Sequence, residues 1–202
     1  MHYSQCMPGT ATTTPPSTTP RTTTPSTTPT GTPTGTPTTT VPVTTTAAAG
    51  YPGATLQNGY YWIRAVESPN FHSYLQSKPT KAAGPALLAD RTTAGQFNVV
   101  SGQLVQLVAP STLLYGNVSP PANSSVAKLA LTFSTTQNTF GTFAFSGDAL
   151  TWSVSSINRP NLSAWLVCDA QTLWINLGPY AYNTPPGCVD ETIHYFNGAT
   201  VD

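Results

Sequence analysis

Gln96-Phe97-Asn98-Val99-Val100-Ser101-Gly102-Gln103-Leu104-Val105-Gln106-Leu107-Val108 decides the fold class. Two runs rich in β-branched and apolar residues stand either side of Ser101-Gly102, a two-residue loop of the kind that joins antiparallel strands. The same pattern recurs along the chain. Phe143-Ala144-Phe145 and Ala149-Leu150-Thr151-Trp152-Ser153-Val154 flank Ser146-Gly147-Asp148. Trp165-Leu166-Val167-Cys168 and Thr172-Leu173-Trp174-Ile175 flank Asp169-Ala170-Gln171. Tyr60-Tyr61-Trp62-Ile63-Arg64-Ala65-Val66 and Leu129-Ala130-Leu131-Thr132-Phe133 have strand composition as well. No stretch holds the helical apolar period between capping residues. Short strands punctuated by turns predict an all-β domain, either a β-sandwich or a β-trefoil-like barrel.

That domain spans residues 51–202. What precedes it has a different chemistry. Residues 8–50 contain 21 Thr and 9 Pro, and Arg21 is their only charge. Such a stretch buries nothing that offsets the roughly 1–2 kcal/mol of backbone entropy each ordered residue costs. Pro fixes φ and removes donors, so helix and sheet are both disfavoured. The composition is that of an O-glycosylated, disordered linker, extended at about 3.1 Å per residue. Residues 1–7 stand on its far side and are expected to be the remnant of a second module. The features of a signal peptide are missing from this start, and one is expected upstream of Met1.

Charge excludes several classes of partner. Seven basic residues balance seven acidic ones, and charged side chains make up 7% of the chain, against about a quarter in ordinary soluble proteins. This offers no basic surface for nucleic acid and no polybasic patch for anionic lipid. No apolar run approaches the length of a membrane span. Neither a membrane nor a nucleic acid is expected as a partner.

Tyr3-Ser4-Gln5-Cys6, directly followed by the Thr/Pro stretch, resembles the C-terminal end of a fungal family 1 carbohydrate-binding module. That family is a disulfide-stapled knot that grips cellulose with a flat row of aromatics. The resemblance implies that Tyr3 is one of those aromatics, Gln5 the polar residue beside the binding face, and Cys6 the final half-cystine. His2 stands where the family usually has another aromatic. Within the β domain, Tyr61-Trp62-Ile63-Arg64, Tyr74-Leu75-Gln76, Gln96-Phe97-Asn98-Val99 and Gly102-Gln103-Leu104-Val105 together look like one repeat of a ricin-type β-trefoil lectin. The hairpin turns near 102, 147 and 170 are unevenly spaced for a three-fold repeat, which keeps the sandwich open as the alternative.

Cys168 and Cys188 are expected to pair in an oxidising compartment, closing a loop of about 20 residues. Asn117, Asn123 and Asn161 each begin an Asn-x-Ser sequon. With the mucin-like linker, these features predict an extracellular, glycosylated protein. The domain holds four Trp and eight of the nine Tyr. Aromatic faces with a few amides are the side chains that meet the C–H faces and hydroxyls of sugars. Tyr180 and Tyr182, in the turn-rich Gly178-Pro179-Tyr180-Ala181-Tyr182-Asn183, are the aromatics best placed for exposure. The expected partner is a polysaccharide, cellulose or a related cell-wall glycan, and the expected function is that of a secreted, non-catalytic accessory protein.

The alternative is a small carbohydrate-active enzyme. A glycosidase needs two carboxylates roughly 5–10 Å apart, and the sequence selects no pair. Asp190-Glu191-x-x-His194 is the densest polar cluster; read as one strand, it puts residues 190 and 194 on a common face. Asp148 and Asp169 read as turn residues. There is no nucleophile elbow, no phosphate loop and no metal-spaced Cys/His set, so neither cofactor nor metal is expected.

Overall fold

The computed structural model describes residues 51–202; Tyr3, Gln5, Cys6 and the Thr/Pro linker lie outside the described residues. The described part is all-β, with 14 strands: β1 Trp62–Ala65, β2 Tyr74–Ser77, β3 Gly84–Ala89, β4 Gln96–Val100, β5 Gln103–Ala109, β6 Thr112–Asn117, β7 Lys128–Ala130, β8 Thr132–Ser134, β9 Thr142–Ser146, β10 Ala149–Ser153, β11 Trp165–Cys168, β12 Thr172–Asn176, β13 Cys188–Glu191 and β14 Ile193–Phe196.

Turn chemistry explains the hairpins. Val100 pairs with Gln103, so Ser101-Gly102 is the whole loop, and both residues have positive φ, 50° and 78°. That is the requirement of a type I′ turn, whose twist matches that of the strands it joins. Ser146 pairs with Ala149 across Gly147-Asp148, and Gly147 alone carries the positive φ, 60°, as a type II′ turn demands.

Six strands form a nearly closed barrel. β1 pairs with β14, β14 with β10, β10 with β9, and β4 with β5. Two thinner contacts complete the ring. Tyr61 and Phe97 exchange backbone hydrogen bonds of 2.8 Å between the start of β1 and β4, and Phe143 N donates to Gly102 O between β9 and β5. Each barrel strand contributes at least one apolar side chain to a common core, among them Ile63, Phe97, Leu104, Phe143, Leu150 and Ile193. Of the remaining strands, β2 pairs with β3, β6 with β8 and β11 with β12, while β7 and β13 add to β12 and β11. These pairs are also joined to one another, through β3–β8 and β3–β12.

This is the barrel alternative, with a trefoil-like repeat of strand, hairpin, strand. The uneven turn spacing read from the sequence mixed two kinds of hairpin. Gly102 and Gly147 lie at equivalent barrel turns, 45 positions apart. The turn near 170 belongs to the β11–β12 hairpin. The run Leu129–Phe133 also divides in two: β7 pairs with β12, while β8 pairs with β6 and β3.

The third repeat carries the disulfide. Cys168 and Cys188 are directly opposite one another on β11 and β13 and are joined by an S–S bond of 2.03 Å. β13 has no other strand partner among the described residues. The buried Arg159 guanidinium donates to four backbone carbonyls: Asn176 O at 2.8 Å, Trp152 O at 2.6 Å, Leu162 O at 3.0 Å and Ala164 O at 2.5 Å.

Candidate functional site

The break between β13 and β14 at Thr192 separates residues that one continuous strand would bring together. Asp190 accepts from Asn176 Nδ2 at 2.8 Å and from the Thr184 hydroxyl, on the third-repeat side. His194 is paired through Nδ1 with Asp148 Oδ2, 3.2 Å away, on the barrel side. Asp190 and His194 therefore do not share a face, because the chain changes partners from β11 to β1 and β10 between them. The hydrogen bond with His194 holds the exposed Asp148 carboxyl below its ordinary value.

A different carboxylate grouping forms instead. Glu191 is 0% exposed, and its Oε1 accepts from the backbone N–H of Glu67 and of Thr192, each at 3.2 Å. Burial pushes its carboxyl above the usual range, and the facing Asn70 amide and the two backbone donors offset part of that rise. Among the described residues, neither Glu191 Oε2 nor Asn70 Nδ2 has a hydrogen-bond partner. Glu67 is exposed and accepts from the Tyr180 hydroxyl at 2.5 Å. Burial, then the bond to Glu67, raises the Tyr180 phenol above its ordinary value. Two glutamates thus meet beside a tyrosine, but no substrate atom can reach Glu191 in this conformation. The group fastens the connection between β1 and β2 to the β13–β14 break.

This has a consequence for stability. A carboxyl raised in the folded state favours folding most at a pH below the unfolded value of 4.5, and that contribution is lost as pH rises through the folded value. At neutral pH the Glu191 charge is a net cost. Glu191→Gln is expected to raise the urea midpoint at pH 7 and to flatten its decline from pH 4.5 upward. Urea titrations at the two pH values check this, and a lower midpoint at both would contradict it.

Of the two tyrosines singled out by sequence, Tyr180 is half-buried on Glu67, whereas Tyr182 is 65% exposed. The three sequon asparagines also differ. Asn117 Nδ2, the atom a glycan would modify, already donates to Tyr115 O, Ser134 Oγ and Thr136 O. Asn123 and Asn161 use only Oδ1, accepting from the amides of Ser125 and Ser163, each at 2.9 Å.

Sequence reading missed the first turn of the domain. Asn58, Tyr60, Tyr61 and Asn197 line an open cleft of about 430 Å³. Gly59, at φ 80°, turns the chain between the exposed Asn58 and Tyr60. Tyr61 is fixed from behind, 4.7 Å from the Tyr195 ring and 5.8 Å from that of Phe145. Buried Gln96 anchors the segment before it, accepting from Gln57 N at 2.7 Å and donating to Thr55 O at 2.9 Å. Leu56 N donates to Ala199 O at 2.8 Å, which brings Asn197 alongside. The exposed side chains of Asn58 and Asn197 make no hydrogen bond among the described residues. The Asn58-Gly59 dipeptide is a turn signal that could have pointed here. Phe71 is another exposed ring, stacked on His72 at 3.9 Å.

No family model, curated protein or solved structure matches the chain. Among the described residues no group of three or more His, Cys, Asp or Glu is placed to hold a metal ion, and no helix is long and apolar enough to cross a membrane.

Proposed function

We propose that this chain is a secreted protein that binds a neutral cell-wall polysaccharide, cellulose or a related glycan, without cleaving it. The observation that carries the reading is the cleft in which Tyr60 and a braced Tyr61 lie beside two uncommitted amides, Asn58 and Asn197. A sugar ring presents C–H groups on its faces and hydroxyls at its rim, and this lining offers a counterpart to each. Tyr182 is a second, separate contact. The disulfide and the Thr/Pro composition support an extracellular setting, in which the linker would tether the domain near its substrate and raise its effective concentration.

The test is retention of the full chain on crystalline cellulose and on other insoluble glycans. Tyr60→Ala is expected to weaken retention about fivefold to tenfold, the loss of one aromatic contact of roughly 1–1.5 kcal/mol. The paired change Asn58→Ala with Asn197→Ala is expected to act in the same direction. Both should leave the melting temperature within a few degrees of the parent, since neither removes a buried apolar group. Undiminished retention in both variants would refute the cleft, and release of soluble sugar by the purified protein would refute the non-catalytic reading.

A further inference from the structure

We propose that Asn123 carries an N-linked glycan whose first sugar is seated on the protein, in a cleft of which Asn123 itself forms part. The site rests on the extracellular setting proposed above and is independent of the tyrosine cleft. Asn117, Asn123 and Asn161 each begin a sequon, and the fold treats them differently. Asn117 Nδ2 is committed to Tyr115 O, Ser134 Oγ and Thr136 O, bonds that a glycan on that atom would displace. Asn161 is half-buried, and its Oδ1 accepts from both the amide and the hydroxyl of Ser163, at 2.9 and 2.8 Å. Asn123 is exposed. Its Oδ1 accepts from Ser125 N at 2.9 Å, and its Nδ2 makes no hydrogen bond among the described residues.

The cleft beside Asn123 holds about 410 Å³, within the range of small-molecule pockets. Val126, Ile157 and Leu177 supply its apolar wall, each half-buried and packed against the core. Ser156 and Asn158 are exposed in the same lining, and their side chains make no hydrogen bond among the described residues. No charged side chain lines it. The walls are fixed by backbone bonds. Leu177 N donates to Ala127 O at 3.0 Å, which ties the Asn123 loop to the end of β12, and Ile157 N donates to Val154 O at 3.2 Å. An N-acetylhexosamine presents C–H faces and an acetyl methyl to such a wall, and an amide and hydroxyls to Asn158 and Ser156. Covalent attachment at the rim selects this occupant, because a sugar on so short a tether has a high effective concentration at the cleft. In the transfer, Asn123 Nδ2 displaces a lipid-linked diphosphate from the anomeric carbon of an oligosaccharide donor. A C–N bond forms as the C–O bond breaks, and one amide proton is lost.

The experiment uses the full chain, secreted from a glycosylating host behind an added leader. Peptide mapping after N-glycanase digestion in heavy-oxygen water marks each occupied asparagine as a labelled aspartate; Asn123 is expected to be occupied and Asn117 not. Melting temperature is then compared for the intact glycan, for the form trimmed by an endoglycosidase to one sugar, and for the form with none. Trimming should leave it unchanged, and removal of the last sugar should lower it by about 2–4 °C. Asn123→Gln should sit at the lower value and not respond to digestion, whereas Asn161→Gln should keep the difference. Asn158→Ala should shrink the difference between the one-sugar and sugar-free forms without moving the sugar-free value. An unoccupied Asn123, or equal melting temperatures with one sugar and with none, would overturn the proposal; a fall already complete on trimming would overturn the seating of the first sugar. Retention on cellulose, read on the same three forms, is expected not to change, so failure of the tyrosine cleft and failure of this site are read separately.

Discussion

Replacing Arg159 with methionine is expected to cost about 3–5 kcal/mol of stability, the largest effect of any single change considered for this domain. The guanidinium is 5% exposed and faces four carbonyls: one on β10, two in the loop that follows it and one at the end of β12. It reinforces backbone bonds between the same segments, from Trp152 N to Leu162 O and from Asn176 N to Ala164 O. Methionine keeps much of the volume but removes the donor to Trp152 O and Asn176 O, each worth about 1–3 kcal/mol when buried and unpaired, while Leu162 O and Ala164 O keep backbone donors at 3.2 Å, from Trp152 N and Asn176 N. Lysine should rescue little, because one ammonium cannot span the fork and a buried amine loses its proton more readily. Burial alone lowers the Arg159 group from its ordinary value to about 10, so it is charged at neutral pH even in this setting. The sign follows from that direction. Because the folded state holds the proton less tightly, stability from this group rises as pH climbs above about 10, and the full cost of burying the charge is present at pH 7. The four hydrogen bonds must offset that cost, which is why removing them is expensive. Thermal unfolding of Arg159→Met should show a midpoint lower by roughly 8–15 °C for a domain of this size. A midpoint within two degrees of the parent, to use a rough threshold from the same scaling, would mean the carbonyls find other donors.

Nothing in the local sequence announces that role. Arg159 sits in Ile157-Asn158-Arg159-Pro160, which reads as an ordinary surface loop, and only the convergence of β10, its loop and β12 makes it a buried hub. Barrel hairpins, by contrast, were legible, because Ser101-Gly102 and Gly147-Asp148 carry their turn type in two residues. β3 was not, since Gly84-Pro85-Ala86-Leu87-Leu88-Ala89 has the composition of a loop and gains its strand character from pairing with β2 and β8. The trefoil-like order was half visible. The first repeat stands out in Tyr61–Val105, whereas the second and third each split a strand, which disguises the period. The site was less legible than the fold. Tyr182 was found because a turn-rich stretch predicts exposure, but Tyr180 has the same surroundings in sequence and is captured by Glu67, 113 positions away.

Converting both Cys168 and Cys188 to serine is expected to destabilise the domain by about 3 kcal/mol, the loop-closure value for a bridge spanning some 20 residues. Changing both at once avoids a lone thiol, and the two hydroxyls keep acceptors in place for Lys128 Nζ, which lies 3.2 and 3.0 Å from the two sulfurs. The loss should be uneven across the fold. β13 pairs with β11 alone among the described strands, so the bridge is what pins this edge and the connection before it. That connection carries Tyr180 to Glu67 and Thr184 to Asp190, while the barrel closes through β14, beyond the break at Thr192. Hydrogen exchange should therefore show lost protection at residues 188–191, with the amides of β1, β10 and β14 still protected. The melting temperature should fall by roughly 6–12 °C. Reduction of the parent protein with a thiol should reproduce both changes. An unchanged melting temperature in the double variant, or uniform loss of protection across barrel and edge alike, would show that the bridge does not hold β13 in the way its register implies.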